Sequence, residues 1–312
     1  MGKTKYPEVR LCSLSFNNQP DEKVWDAVRA AGSMGSDLIL LPETWAGLDT
    51  IETLESPRVL MLKELAAQYK TYIVSGMYRC TDEIGRINSA VLIGRGGEIE
   101  GIYDKVYPYL EEFDYNPPVH IGREAKVFDT DFGKIGIVIC FDANIPMLWQ
   151  KMAEMGAQIV FWPSAYTGGL SLQAHAINHN YYIVTATLNK DCTVYDITGK
   201  EILYNASVED YDIIITSAED DDILITSVVL DLDRCIFHDD FNNEKKKALL
   251  SEHTGKIIQE EAMVKEGWFV LKSVYENVSV RELAKEYEME DLPSYKIRSV
   301  RKMDEIRGGS FV

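Results

Sequence analysis

Short aliphatic runs that each end in an ionisable residue constrain this chain more than any other feature. Asp37-Leu38-Ile39-Leu40-Leu41-Pro42 leads into Glu43, Gly101-Ile102-Tyr103-Asp104 into Lys105, and Gly133-Lys134-Ile135-Gly136-Ile137-Val138-Ile139 into Cys140. Runs of this length, bounded by Gly, Pro and polar residues, read as buried strands. Ligands of open α/β sheets gather at the carboxyl ends of strands. One acid, one thiol and one amine placed there supply a base, a nucleophile and a cation. That set suits acyl-transfer hydrolysis through a covalent thioester.

The segments between these runs have helical spacing. Residues 9–15 read as a strand, 21–34 as a helix and 38–42 as a strand. The Asp21-Glu22 pair suits the positive end of the helix dipole. A helix over 56–69 and a strand over 71–77 follow. Next comes a hairpin of 88–93 and 99–103, joined at the Gly94-Arg95-Gly96-Gly97 turn. Strand, helix and strand recur over 133–139, 148–155 and 158–162, then a helix over 173–180 and a strand over 181–188. A late hairpin surrounds Ile197-Thr198-Gly199-Lys200, and 223–231 is the last clear strand. Alternation of strands and helices argues α/β layers. No Gly/Ser- or Pro-rich linker interrupts it. The expectation is therefore one domain over residues 1–290, followed by a C-terminal arm over 291–312.

Composition narrows the function classes. A 312-residue chain with 46% hydrophobic residues can bury a sizeable core. A net charge of −18 opposes nucleic acid and anionic membranes, because phosphates attract basic surfaces. No apolar run approaches the roughly 20 residues that span a bilayer, and residues 1–7 lack the apolar core of a signal peptide. Five scattered cysteines form neither a CxxC pair nor an even disulfide set, so a reducing cytoplasm is the expected location.

Cys140 alone would read as a small buried hydrophobe. The polar turn Phe141-Asp142-Ala143-Asn144-Ile145-Pro146 changes that reading. A thiol on a tight strand-to-helix turn is exposed and lies near backbone N–H groups able to hold an oxyanion. Glu43 closes a run too apolar to hold a carboxylate casually, and desolvation is how a Glu becomes a base near neutrality. Lys105, before Val106-Tyr107-Pro108, would read alone as a surface lysine; the joint pattern singles it out. His175 and His179 have zinc-binding i, i+4 spacing but lack the Glu of HExxH. The acidic run Ser217-Ala218-Glu219-Asp220-Asp221-Asp222 matches no metal loop and reads as solvated.

Together these residues resemble the nitrilase superfamily, the carbon–nitrogen hydrolases. The resemblance rests on Leu40-Leu41-Pro42-Glu43, on Lys105 with Pro108 and a following acid, and on Cys140-Phe141-Asp142. The stretches 128–136 and 156–166 are similar to the family's approach to, and exit from, its nucleophile. The similarity runs from about residue 9 to 242. It implies a four-layer α-β-β-α sandwich, often dimerised or further assembled, with no metal or organic cofactor. It also implies roles: Glu43 as proton acceptor and later activator of water, Cys140 as nucleophile. Lys105 and the backbone N–H of Phe141 would stabilise the oxyanion. The family has a second Glu after its Lys-x-x-Pro segment; Glu111 and Glu112 are adjacent here, and the Pro-x-x-x-Glu spacing selects Glu112.

The chain departs from the family in carrying Pro146-Met147 where many members have Pro-Glu. Residues 140–150 contain no Arg or Lys, although many carbamoyl-amino-acid hydrolases place an Arg there. Arg79 or Arg123 could supply a carboxylate anchor instead. The expected activity is an amidase acting on a small linear amide. Nitriles and N-carbamoyl amino acids or amines are alternatives that share the same residues. A different-class reading is a binding or regulatory module. The amphipathic stretch 278–287 precedes a basic tail with Lys296, Arg298, Arg301, Lys302 and Arg307, a helix-turn-helix-like order. No clear second helix follows Pro293, so docking of the tail on a partner subunit is the preferred expectation.

Overall fold

The computed structural model describes residues 8–204, 207–208, 214–216 and 223–310. The acidic run at 217–222 lies outside them. The chain divides between Leu230 and Asp231 into two compact units.

In the first unit, β1 (Glu8–Ser15), β2 (Leu38–Leu40), β3 (Ile51–Glu52), β4 (Tyr72–Arg79), β5 (Ile87–Ile93) and β6 (Ile99–Asp104) begin one sheet. The second sheet holds β7 (Val127–Asp129), β8 (Lys134–Ile137), β9 (Ile159–Ser164), β10 (Tyr182–Thr187), β11 (Thr193–Tyr195), β12 (Glu201–Tyr204) and β13 (Ser207–Val208). The chain then returns to the first sheet with β14 (Ile214–Thr216) and β15 (Leu224–Asp231). The first sheet has the order β14-β15-β1-β2-β4-β5-β6, with β3 beside β4; the second runs β13-β12-β11-β10-β9-β8-β7. β1, β2 and β4 are parallel, as are β8, β9 and β10. Hairpin partners extend each sheet antiparallel.

Four helices cover the outer faces: α1 (Asp21–Ser33), α2 (Pro57–Tyr69), α3 (Pro146–Glu154) and α4 (Leu170–His179). Val24, Trp25 and Val28 of α1 share a core with Val59, Leu62 and Leu65 of α2 and with Leu14, Ile39, Ile73 and Val91 of the first sheet. On the second sheet, Met152 of α3 fits over Gly136, where a Cβ would stand 3.0 Å from its Sδ. Between the sheets, Ser13 Oγ donates to the Thr185 carbonyl at 2.6 Å and Ser15 Oγ to that of Asp191 at 2.7 Å. These hydroxyls satisfy carbonyls that the sheet interface removes from water. The layers are thus α-β-β-α, the expected sandwich. Strands buried on both faces account for the unbroken aliphatic runs.

The second unit has its own sheet and core. β16 (Cys235–His238), β17 (Ile257–Met263) and β18 (Trp268–Ser273) pair antiparallel in the order β16-β18-β17. α5 (Asp239–Glu252), α6 (Val280–Glu286) and α7 (Leu292–Arg307) accompany them. Phe237, Leu249, Ile257, Phe269, Leu271, Val280, Leu283 and Met289 form one apolar cluster. Residues between 235 and 289 build this apolar core of their own. The arm over 291–312, for which the two-to-three spacing of its apolar residues predicts an irregular or partly helical form, holds a regular 16-residue helix. Pro293 stands in its first turn, where the missing N–H costs nothing. The Asp291 side chain accepts from Ser294 N at 2.8 Å, and Gly308 closes the helix at φ 82°. The second helix not discerned after Pro293 is thus present. Several of its basic residues are paired with acids: Arg298 with Glu290, Lys302 with Glu305 and Arg307 with Asp304. Among the described residues no helix is long and apolar enough to cross a membrane.

Candidate active site

Glu43 follows β2 on a tight loop. Leu41 N still bonds to the Val74 carbonyl at 2.9 Å, and Thr44 turns the chain at φ 42°. Gly76 in β4 lets this loop sit directly on the sheet. A Cβ there would lie 2.5 Å from the Pro42 carbonyl oxygen and 2.7 Å from Glu43 Cα. Glu43 is consequently 4% exposed.

Lys105 leaves the end of β6, held by its N–H on the Asn88 carbonyl and its carbonyl under Gly122 N, both at 2.8 Å. Its Nζ donates to Glu43 Oε1 at 2.8 Å and to Glu112 Oε1 at 2.5 Å. Glu112 lies in a 3-10 turn, Leu110–Asp114, and is buried, whereas Glu111 is exposed. It also accepts from Tyr109 N at 2.8 Å and from the Tyr78 hydroxyl at 3.1 Å. Asn88 Nδ2 bridges both acids, 2.8 Å from Glu43 and 3.0 Å from Glu112.

Cys140 comes three residues after the end of β8, buried at 8% exposure where the turn predicted an exposed thiol, in a backbone conformation with φ 46°. That region is uncommon for residues other than Gly, and such strain persists only where the surroundings enforce it. Here the enforcing groups are visible. Trp162 Nε1 donates to the Cys140 carbonyl at 3.0 Å, and Trp149 Nε1 to that of Asp142 at 3.0 Å. Asp142 accepts from Ile139 N at 2.9 Å, Tyr107 N at 2.9 Å and the Tyr103 hydroxyl at 2.7 Å. Tyr103 and Tyr107 flank Lys105 in sequence, so one carboxylate ties the thiol turn to the lysine segment. Burial pushes Asp142 up to about 6, against the pull of these donors.

The electrostatics of the cluster are coupled. Burial works against the Lys105 ammonium, but Glu43, Cys140 and Glu112 outweigh it and raise its pKa. Burial and then the Glu43 charge push the Cys140 thiol up to about 12, while Lys105 pulls it down. The resting thiol therefore keeps its proton at neutral pH. Glu43, Lys105 and Glu112 make one ion-paired cluster, and Glu43 and Lys105 act electrostatically on Cys140.

The family model for carbon–nitrogen hydrolases matches residues 21–229. The chain belongs to the carbon–nitrogen hydrolase family. The matched segment ends within one residue of the first unit. A β-ureidopropionase of Arabidopsis thaliana is 32% identical over 165 residues, 48% of this chain and 40% of that protein. A chloroplastic omega-amidase of the same plant is 28% identical over 223 residues, 60% of this chain and 58% of that protein. The chain thus spans about half the length of these relatives. Among solved structures, an amidase variant from Nesterenkonia sp. AN1 superposes with a TM-score of 0.58 at 17% identity, covering 74% of this chain and 94% of that one. That structure shows covalent addition of the acetamide moiety of fluoroacetamide at its active-site cysteine.

Other residues of this carbon–nitrogen hydrolase chain have structural work. His175 packs flat against Trp149 at 4.3 Å, and its Nε2 lies 2.9 Å from the Ala143 carbonyl, bracing the thiol turn. Arg79 is engaged by Asp104 at 3.0 Å and Ser89 at 3.3 Å, and Arg123 is exposed. Asn88, Tyr78 and the role of Asp142 are absent from the sequence reading. The one available signal for Asn88 was a polar residue inside the aliphatic stretch of β5.

Proposed function

We propose that the first unit hydrolyses a non-peptide carbon–nitrogen bond of a small linear amide through Cys140. The observation that carries this reading is the buried Glu43–Lys105–Glu112 cluster gathered about the strained Cys140 turn. Glu43 accepts the thiol proton as sulfur attacks the carbonyl carbon. Lys105 Nζ and the Phe141 backbone N–H stabilise the oxyanion. The intermediate collapses, Glu43 passes the proton to the departing amine, and a thioester remains. Glu43 then takes a proton from water as it attacks the thioester; carboxylate leaves and the thiol is restored. Glu112 and Asn88 hold Glu43 and Lys105 in place. The β-ureidopropionase relative supports N-carbamoyl compounds as a second substrate class, and nitriles share the same nucleophile.

Mass spectrometry of the protein with an amide, nitrile and carbamoyl panel tests the reading. A substrate-derived mass on the Cys140 peptide is expected. An adduct on another cysteine, or none with any compound that is consumed, overturns it.

Gly76→Ala probes how the base is held. Its Cβ meets backbone atoms that cannot swing aside, so the Glu43 loop must move. The expected cost is about 1–3 kcal/mol of stability and on the order of 10²-fold in rate. Melting curves and kcat measure the two; a variant equal to the parent in both contradicts the geometry.

We also propose that the chain works as a homo-oligomer. The exposed Val300, Met303 and Ile306, three residues apart on α7, support a protein contact there better than a phosphate contact. Sedimentation reads the subunit number.

A further inference from the structure

We propose that Arg86 anchors a carboxylate on the substrate, so that the site takes short monoamides of dicarboxylic acids in preference to neutral amides; this rests on the reading of the Cys140 site above.

Arg86 is 5% exposed. Its guanidinium lies against two rings that meet edge to face, with Cζ 5.0 Å from the Tyr78 centroid and 5.1 Å from that of Tyr115. Its buried Nε has no hydrogen-bond partner. Among the described residues no carboxylate stands within ion-pair distance of it. The other buried arginines are different: Arg79 has Asp104 at 3.0 Å, and Arg234 has Glu260 at 2.6 Å. A buried cation without a counter-ion is costly, and removing its partner from a buried pair is strongly unfavourable. Two aromatic faces offset part of that cost. The rest is available to an anion that brings two oxygens to the guanidinium fork.

The location ties this cation to the proposed chemistry. Arg86 immediately precedes β5, two residues before Asn88. Alternate residues of a strand share a face, about 7 Å apart. Asn88 holds Glu43 and Glu112. Tyr78 is paired with Asn88 across the ladder, its hydroxyl is on Glu112 at 3.1 Å, and its ring carries the guanidinium. The anchor is therefore about one pleat from the reacting cluster, a span suited to a short chain with an amide at one end and a carboxylate at the other. It also stands in for the arginine that residues 140–150 lack, and neither Arg79 nor Arg123 meets that need.

Glutaramate and pentanamide are a matched pair, differing by a carboxylate in place of a methyl group. The ratio of their kcat/KM values is expected to favour glutaramate in the parent protein. Arg86→Met should lower that ratio about 100-fold, the effect of losing charge-assisted hydrogen bonds. Arg86→Lys, which keeps the charge but loses the fork, should fall between. Parallel loss on both substrates, or an unchanged ratio, overturns the assignment. Calorimetry on the Cys140→Ala protein separates this inference from hydrolysis itself. Tighter binding of glutaramate than of pentanamide, weakened by adding Arg86→Met, supports the anchor even if no amide is turned over. Equal binding of the two compounds removes the anchor even where both are hydrolysed. If Arg86→Met does not fold, the same ratio and binding are read on Arg86→Lys.

Discussion

Cys140→Ala is expected to lose hydrolysis by roughly 10⁴-fold or more, because the proposed mechanism forms its thioester on Cys140. Alanine is smaller than cysteine and meets the same backbone conformation, and the cage around the turn uses backbone carbonyls that the substitution leaves in place. Melting should therefore change little. The other thiols make poor substitutes. Burial pushes Cys192 and Cys235 up to about 12, and among the described residues neither has a lysine–carboxylate cluster beside it. Cys12 is raised by burial as well and lies in the helix-covered core. Product release and a melting curve on the same preparation are the measurements. Turnover retained by the alanine variant would falsify the covalent mechanism.

Glu43→Gln should lower hydrolysis by about 10³-fold, within the span usual for a lost general base. It should also make the thiol more acidic, a change of opposite sense. The Glu43 charge raises Cys140, and only Lys105 and local hydrogen bonds pull it down. Removing that charge moves the pH midpoint of Cys140 alkylation by iodoacetamide below about 12. Stability follows the same sign. The folded chain holds this proton more tightly than the ordinary thiol value of 9.0, so the contribution is present below pH 9 and is lost as pH rises toward about 12. In the Gln variant that loss should be smaller. A lower rate with an unmoved alkylation midpoint would show that Glu43 acts only through packing.

The strands and helices of the first unit were readable because burial on two faces imposes aliphatic runs of a fixed length. The expected helices over 21–34 and 56–69 correspond to Asp21–Ser33 and Pro57–Tyr69. The second unit was harder to read. β17 is largely exposed and carries Gln259, Glu260 and Glu261 in succession, which hides a two-residue period. α7 buries only Leu292 fully, so its apolar residues gave no helical stripe.

Sequence alone determined the elements of the layered first unit and the residue types at its strand ends, since both follow from local periodicity and chain direction. It also named Glu43, Lys105 and Cys140 as a set. The family spacing selected Glu112 over Glu111; the tertiary structure adds the environments, Glu112 buried on Lys105 and Glu111 exposed, because a 3-10 turn sends neighbouring side chains to different surroundings. Only the tertiary structure showed Asn88 and Tyr78, which meet Glu112 from two neighbouring strands, and Arg86, which has no ion-pair partner among the described residues. Periodicity reports which face a residue occupies; what lies opposite that face is set by contacts distant in the chain.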